Sequence, residues 1–225
     1  EYDVIAEYVQ KEVGNRMLRM MAYNRSIPGP IIKVEKGSTV YINFTNRTDI
    51  DQTIHSHGLR LDNNFDGVPW VTQDPVQPGQ SYRYELYFPD EGMAWYHPHT
   101  RDDYGQEMGL YGVYLVDPLE GDYWAPVNRE VPLVLDDILI ENNLIGTFYK
   151  DVIDHVLLGR FGNEFMVNGE TNYELDIETG ETIRFQVTNV SNARTYRLSI
   201  PGVQMKIVGA EWGRHEQEVF QDEFL

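Results

Sequence analysis

The stretch Thr39-Val40-Tyr41-Ile42-Asn43-Phe44-Thr45-Asn46 decides the fold class of this chain. Its apolar residues stand at every second position, and a period of two residues indicates a β-strand with one buried face. The segment Ser81–Phe88 alternates in the same way, with a large apolar or aromatic side chain at every second position. Both segments therefore predict half-buried strands of a sheet.

Further strand-like segments, separated by Gly and Pro, extend outward from these two. In the first half they are Tyr2–Val13, Met17–Tyr23, Ile31–Val34, Thr39–Asn46, Ser81–Phe88 and Leu110–Val116. In the second half they are Val131–Ile140, Glu164–Val167, Tyr173–Ile177, Thr182–Val187, Tyr196–Ile200 and Met205–Val208. Short strands at this spacing predict an all-β protein built of Greek-key β-sandwiches or barrels. The segment Phe148–Leu158 is predicted as a short helix.

Two units are expected, because the segment Asp117–Val131 contains the Pro and Gly residues of a linker. We assign residues 1–120 to the first sandwich and residues 121–225 to the second. The sequence Gly180–Phe185 echoes Gly37–Ile42 at the same relative place, which predicts two copies of one sandwich. The second unit holds too few strands to close, so we expect it to be truncated at its C-terminal end.

The composition of this 225-residue chain limits the classes of function that it can have. A net charge of −18 argues against a nucleic-acid partner, whose phosphates it would repel. That charge could attract metal cations or cationic substrates, or serve only solubility. No run of eighteen apolar residues exists, so no membrane span is predicted. Asn-x-Ser/Thr sites compatible with secretion begin at Asn24, Asn43, Asn46 and Asn189.

Two His-x-His pairs, His55-Ser56-His57 and His97-Pro98-His99, contain four of the six histidines. In a strand, residues i and i+2 point to the same face with backbones about 6–7 Å apart. Both rings of a pair can therefore reach one metal ion or two adjacent ions. Apolar or β-favouring residues precede each pair, so we expect both pairs to end strands. Gly58 then leaves room for a close backbone approach.

The residues themselves leave the identity of the metal open, because neutral imidazole binds copper, zinc or iron. The two unpaired histidines, His155 and His215, are expected to be structural or exposed. Met17, Met20 and Met21 could offer soft ligands to copper, but thioethers in a strand more commonly pack in a core. We expect core packing there, and the same for the Tyr and Trp residues around the second pair.

With these residues in view, the chain resembles the N-terminal part of a three-domain multicopper oxidase of the laccase-like kind. The motifs that carry this resemblance follow in the family order: Ala22-Tyr23-Asn24, Ile27-Pro28-Gly29-Pro30, His55-Ser56-His57-Gly58, Asp66-Gly67-Val68-Pro69, Trp95-Tyr96-His97-Pro98-His99, Gly109-Leu110-Tyr111-Gly112 and Phe165-Met166-Val167-Asn168-Gly169. They span nearly the whole chain, and the ordered pair of His motifs with these flanks is highly specific.

The resemblance implies tandem cupredoxin-like Greek-key sandwiches, the second incomplete. It implies an oxidase that takes single electrons from phenolic or metal-ion substrates at a type 1 copper. Such an oxidase reduces O₂ to water at a trinuclear copper cluster held by eight histidines. By match to the motif, His55 would bind the type 2 copper. His57 and His97 would share one type 3 copper, and His99 would bind the other.

Asp66 is a candidate catalytic residue through the same resemblance. In the family, an acidic residue at this place lies near the type 2 copper and helps to move protons during O₂ reduction. A carboxylate so placed can accept and return a proton. The alternative is a turn residue, since Asp-Gly is a common turn dipeptide.

The chain departs from the family because it has no cysteine. A type 1 copper site requires a cysteine thiolate, and the last domain's His-Cys-His motif is missing. The resemblance therefore implies a C-terminal fragment or second chain that carries the cysteine and the remaining histidines. The oxidase would be competent only with that partner. We expect a secreted or periplasmic protein.

Two other functions remain open from the sequence. The chain could be a cupredoxin-like binding or structural module without oxidase activity, although such relatives tend to lose the cluster histidines. It could also be a zinc hydrolase that uses the same four histidines, although zinc catalysis usually employs three ligands and a water. Copper content of the intact assembly distinguishes the first alternative, and its absorption spectrum distinguishes the second.

Overall fold

A computed structural model describes residues 1–149 and 157–225 of the chain. The described part is nearly all β-structure, with one short α-helix, α1 (Asp102–Glu107), and one 3₁₀ turn at Asn63–Phe65. The helix predicted over Phe148–Leu158 falls mainly on residues 150–156, which lie outside the described residues. No described helix is both long and apolar enough to cross a membrane.

The first half forms a β-sandwich of two four-stranded sheets. Its strands are β1 (Tyr2–Val13), β2 (Arg16–Tyr23), β3 (Ile32–Glu35), β4 (Thr39–Asn46), β5 (His55–His57), β6 (Ser81–Tyr87), β7 (Gly92–His97) and β8 (Gly112–Asp117). The strand order is β2-β1-β4-β6 in one sheet and β3-β8-β7-β5 in the other. β1 pairs in parallel with β4, and β3 pairs in parallel with β8. Parallel neighbours require crossover connections, so the chain passes between the sheets in addition to forming the antiparallel pair of β1 and β2.

The alternation in β4 places the first core between these two sheets, and the strand prediction is confirmed. Val40, Ile42 and Phe44 are buried, while the residues between them are partly or fully exposed. β6 contributes the fully buried side chains of Tyr84 and Leu86 to the same core. Each large apolar side chain buried in this way stabilises the fold by about 1.5–3 kcal/mol.

The second half forms smaller sheets. Among the described residues its strands are β9 (Arg129–Ile138), β10 (Ile140–Glu141), β11 (Leu144–Ile145), β12 (Glu164–Val167), β13 (Ile183–Asn189), β14 (Leu198–Ser199), β15 (Met205–Gly209), β16 (Arg214–Gln221) and β17 (Glu223–Phe224). One sheet has the order β12-β9-β13, and the other strands pair as β10-β11, β14-β17 and β15-β16. β16 is exposed along its whole length.

Two strand predictions in the second half need correction. The predicted strand Tyr173–Ile177 is wrong, because this segment has no strand pairing and Ile177 is 69% exposed. The predicted strand Tyr196–Ile200 is reduced to β14, which has two residues. Alternation shows that a segment has an apolar face, but strand formation also requires a neighbouring strand with free backbone groups.

The internal repeat has the same geometry in both halves. β13 pairs in parallel with β9, as β4 pairs with β1. At the end of β4, Oδ1 of Asn46 accepts a hydrogen bond from the backbone N–H of Thr48. At the end of β13, Oδ1 of Asn189 accepts from the N–H of Ser191 in the same way. Both asparagines therefore stabilise an identical turn that leaves the strand.

Asn46, which begins one of the Asn-x-Ser/Thr sites, lies inside the fold. Its side chain is fully buried, and Nδ2 donates to the carbonyl oxygens of Ile50 and Val76 at 2.8 Å. An amide nitrogen used in this way inside the fold is not accessible for attachment of a sugar. The Asn-Arg-Thr sequence there is a turn motif.

A second hydrophobic core joins the two halves. It combines Leu18, Met20 and Val113 of the first half with Ile138 and Met166 of the second. The units predicted over residues 1–120 and 121–225 thus share buried apolar surface. This core includes Val113 of β8 and packs against Met93 and Trp95 of β7, so the second half covers part of the sheet face that carries His57 and His97.

Candidate metal centre

Strands β5 and β7 bring the two His-x-His pairs together. The strands are antiparallel, with His55 opposite His97 and His57 opposite Trp95. The residues between the paired histidines point the other way, as the period of two requires. Ser56 contacts the Tyr114 hydroxyl inside the sandwich at 3.0 Å, and Tyr96 is fully buried there. The imidazoles therefore leave the opposite face of the same sheet.

The rings of the other three histidines lie around the ring of His55. The centroid of the His55 ring lies 5.6 Å from that of His57, 5.4 Å from that of His97 and 5.2 Å from that of His99. One nitrogen each of His55, His57 and His97 lie within 4.8 Å of one another, a spacing that can hold a metal ion. His99 stands outside this closest group, with its ring centroid 6.3 Å from that of His97.

Backbone carbonyls orient two of the imidazoles. Nδ1 of His55 lies 2.6 Å from the carbonyl oxygen of Asp66, and Nδ1 of His97 lies 2.9 Å from that of Pro98. A carbonyl oxygen only accepts, so each Nδ1 carries the proton and each Nε2 keeps its lone pair for a metal. His57 presents Nδ1 to the site instead of Nε2, because its Nδ1 lies 3.4 Å from Nε2 of His97.

The pKa values of two of the imidazoles, those of His97 and His57, are lowered, which favours their neutral form. His97 is 5% exposed, and burial together with the charge of neighbouring His55 lowers the pKa of His97 to about 3. The pKa of His57 is also lowered, first by burial and then by His55. Neutral imidazole is the form that binds metal ions. These residues therefore fit copper without first losing protons near neutral pH.

Trp95 is a part of the site that sequence reasoning assigned only to packing. Its indole stacks on the ring of His97 with centroids 4.1 Å apart and on that of His57 with centroids 5.0 Å apart. The signal was available, since Trp95 stands two residues before His97 and so points to the same face. Tyr96 does pack in the core, as expected.

Asp66 lies beside His55. Oδ1 of its carboxylate is 3.4 Å from Nδ1 of His55, on the same side as the carbonyl that orients the ring. The next residue, Gly67, has a φ of +76°, and a Cβ there would lie 1.9 Å from the carbonyl oxygen of Ile54. Only glycine allows this close approach of the loop to β5. The turn at Gly67 thus also places Asp66 beside His55.

The remaining sulfur and imidazole candidates lie elsewhere. Met20 and Met21 are buried in the cores, as expected, while Met17 is 62% exposed. His215 is exposed on β16, and His155 lies outside the described residues. These residues add no ligand to the four histidines in the described part of the chain.

Helix α1, which begins three residues after His99, is anchored to the second half by buried charges. Oε1 of Glu107 accepts a hydrogen bond from the backbone N–H of Leu139 at 2.9 Å and forms an ion pair with Arg160 at 3.1 Å. Oε2 of Glu107 accepts from Asn192 at 3.0 Å. Burial raises the pKa of Glu107, and the charge of Arg160 opposes that rise. Sequence reasoning did not identify this anchor.

Comparisons with known proteins agree with this geometry. Two family models, both described as multicopper oxidase, match residues 6–121 and 121–224. The chain is 30% identical over 203 residues to Laccase-15 of Oryza sativa subsp. japonica and 26% identical over 245 residues to Copper resistance protein A of Escherichia coli. These alignments cover 84% and 89% of this chain, but only 33% and 40% of the relatives.

Solved structures give the same picture. A multi-copper oxidase from Pseudomonas thermotolerans is 30% identical to the chain and superposes with a TM-score of 0.86. That match covers 97% of this chain and 54% of the other. A laccase from Pediococcus acidilactici is 26% identical, with a TM-score of 0.85 over 99% of this chain and 49% of the other. The described fold thus corresponds to about half of each of these structures.

Proposed function

Because the chain belongs to the multicopper oxidase family, we propose that it is the N-terminal part of a laccase-like oxidase with a cupredoxin-like fold. In this proposal His55, His57, His97 and His99 hold copper. The observation that carries it is the convergence of nitrogens from His55, His57 and His97 within 4.8 Å. Copper bound there would supply one-electron redox chemistry and the place at which O₂ is reduced to water.

The orientations of the rings support a division of ligands. We assign His55 to the type 2 copper, His57 and His97 to one type 3 copper, and His99 to the other. His55 and His97 would bind through Nε2, since each Nδ1 faces a carbonyl oxygen. His57 would bind through Nδ1, which faces Nε2 of His97. The ring of His99 lies 5.2 Å from that of His55 and outside the closest group of nitrogens, which supports its assignment to a separate ion.

The protein itself supplies neutral, oriented imidazoles and a proton carrier. Stacking on Trp95 restricts rotation of the rings of His57 and His97. Asp66 is proposed as the proton carrier, because its carboxylate stands beside His55 and is partly exposed, so that it can exchange protons with water. The orienting bond to His55 uses the backbone of Asp66, which leaves the carboxylate free for this role.

The remaining ligands are proposed to come from a partner. The 225 residues contain no cysteine, so the thiolate that a type 1 copper requires would lie outside them. We propose a C-terminal fragment or chain that carries this cysteine and the other cluster histidines. His57 is exposed and marks the open side of the site toward which such a partner would dock. Phenols or low-valent metal ions are the proposed substrates, and a secreted or periplasmic location is proposed.

Copper binding and O₂ uptake test the proposal together. Cu(II) is titrated into the full chain, and O₂ consumption is measured after assembly with the C-terminal partner. His57→Ala should lower the copper bound per molecule and abolish O₂ uptake. The matched control His215→Ala removes an exposed imidazole of β16 and should behave like the wild-type chain. Unchanged O₂ consumption by His57→Ala would overturn the assignment.

A further inference from the structure

The segment Glu211–Arg214 of the second half docks on the strands that carry the histidines, and we call it the 211–214 clip. The backbone N–H of Met93 in β7 donates to the carbonyl of Glu211 at 3.1 Å. The N–H of Gly213 donates to the carbonyl of Glu91 at 2.9 Å. The clip therefore pairs with the start of β7, the strand that leads to His97.

Trp212 connects the same clip to β5. Its indole N–H donates to the carbonyl oxygen of Gly58 at 2.8 Å, across 154 residues of sequence. The indole also packs against the core of the first sandwich. Gly58 directly follows His57, so this bond fixes the backbone at the end of the first His-x-His pair.

Glycine at position 92 allows the clip to approach so closely. Gly92 has a φ of +142°, and a Cβ there would lie 2.3 Å from the carbonyl oxygen of Glu211. Glu211 itself has a positive φ of 42°, a backbone conformation that is uncommon for a residue with a side chain. Backbone in such a conformation persists only when the surrounding contacts hold it. Both contact partners, Gly92 and Glu211 of the clip, thus have backbone conformations that this docking requires.

β5 needs this support because it is short and lies at the edge of its sheet. It has three residues and, among the strands of the described residues, pairs with β7 alone in the order β3-β8-β7-β5. His57 is its last residue and has an exposed side chain, with Trp95 stacked on one face of the ring. Without the bond at Gly58, the end of β5 would be free to move away from β7.

We propose that Trp212 is a positioning residue for the metal centre, because its indole N–H holds the carbonyl of Gly58 and so fixes the ring of His57 toward His97. This inference rests on the proposed copper site, and it assigns to the second half a direct part in shaping that site. Trp212 acts through the backbone of Gly58, the residue that follows β5.

The variant Trp212→Phe tests this role, since it keeps an aromatic ring and removes only the donor. In the metal-free full chain, the NMR resonances of the His57 ring should shift more than those of His99. Cu(II) affinity should fall about 3- to 10-fold, as expected for the loss of one hydrogen bond behind a ligand. The control is Trp124→Phe, because Trp124 is a partly buried indole that packs near Gly209 in the second half.

The outcomes separate this inference from the proposed function. If Trp212→Phe and Trp124→Phe give the same His57 resonances and the same Cu(II) affinity, the positioning role is wrong. If the wild-type chain binds no Cu(II), the copper proposal fails, and the metal-free resonances of His57 still decide the role of Trp212.

A measurement on the wild-type chain covers the case in which Trp212→Phe does not fold. Zn(II) serves as a diamagnetic probe, because imidazoles bind it as well. Its addition should shift the indole N–H resonance of Trp212 and leave that of Trp124 in place. An unmoved Trp212 resonance at saturating Zn(II) would overturn the inference.

Discussion

The backbone carbonyl of Asp66 lies 2.6 Å from Nδ1 of His55, while the carboxylate of the same residue lies 3.4 Å from that nitrogen. One residue thus presents two groups to one imidazole. The carbonyl fixes the orientation and tautomer of the ring, and the carboxylate remains available for proton exchange. Substitution of the side chain separates these two contributions, because it leaves the carbonyl in place.

Asp66→Asn should therefore keep the metal and lose activity. Copper bound per molecule is expected to match the wild type, because His55 keeps its backbone acceptor. O₂ consumption of the assembled oxidase should fall by about 10²-fold or more, the usual contribution of a positioned acid or base. Asp74→Asn, which changes an exposed carboxylate of the same loop, is the control and should retain activity. Equal loss of copper and activity would show a structural role instead.

Two ligand substitutions should differ in their effect on folding. His97 is 5% exposed and stacked on Trp95, so His97→Ala leaves a cavity and should destabilise the metal-free chain by about 1–3 kcal/mol. His57 has an exposed side chain, and His57→Ala should change stability by about 0.5 kcal/mol or less. Urea unfolding of the metal-free proteins measures both. Equal destabilisation by the two substitutions would contradict the burial difference.

Removal of one partner of the buried ion pair between Glu107 and Arg160 should lower the free energy of unfolding strongly. Arg160→Met leaves the Glu107 carboxylate without its cation and frees the carbonyl oxygens of Gly146 and Thr147, to which Arg160 donates. We expect a loss of about 3–5 kcal/mol. Glu107→Gln in the Arg160→Met background should recover part of that loss, because no buried carboxylate remains. Additive losses in the double mutant would argue against coupling.

Ionisation of Asp136 should lower the free energy of unfolding of the chain as the pH rises. Burial, followed by the charges of Glu107 and Asp137, raises the pKa of Asp136 well above its ordinary value, while the Tyr111 hydroxyl that donates to it at 2.7 Å opposes the rise. Because the pKa of Asp136 is higher in the folded chain than in the unfolded chain, its protonated carboxyl contributes stability. This contribution is fully present below the unfolded-chain pKa of about 4. That contribution is lost as pH rises through the folded pKa.

The variant Asp136→Asn, which cannot ionise, should not show this loss. Its free energy of unfolding relative to the wild type should increase from pH 4 to pH 8. Denaturant titrations at a series of pH values measure the difference. The control Asp122→Asn, at an exposed position of the linker, should give a constant difference over the same range. A constant difference for Asp136→Asn as well would show that the fold does not raise the pKa of Asp136 above its value in the unfolded chain.

Local pattern was sufficient to predict β4, β6 and the strand placement of His55, His57 and His97, whereas His99 lies two residues beyond the end of β7. The reason is that a period of two residues is a property of neighbouring positions, and burial of one face follows from it. The same reasoning failed at Tyr173–Ile177, where the alternation is present but no strand pairs with it. It also did not distinguish Asn46 from the other Asn-x-Ser/Thr sites, although the Asn46 amide is buried and donates to the carbonyl oxygens of Ile50 and Val76.

The sequence by itself thus determined the all-β class, the two His-x-His pairs and the absence of a thiolate ligand, because residue type and short spacing are sufficient for each. Only the tertiary structure decided that His55 stands opposite His97 and that Trp212 reaches Gly58. These relationships join residues far apart in the chain. They depend on the summed packing of many weak contacts in both cores, which no short window of sequence contains.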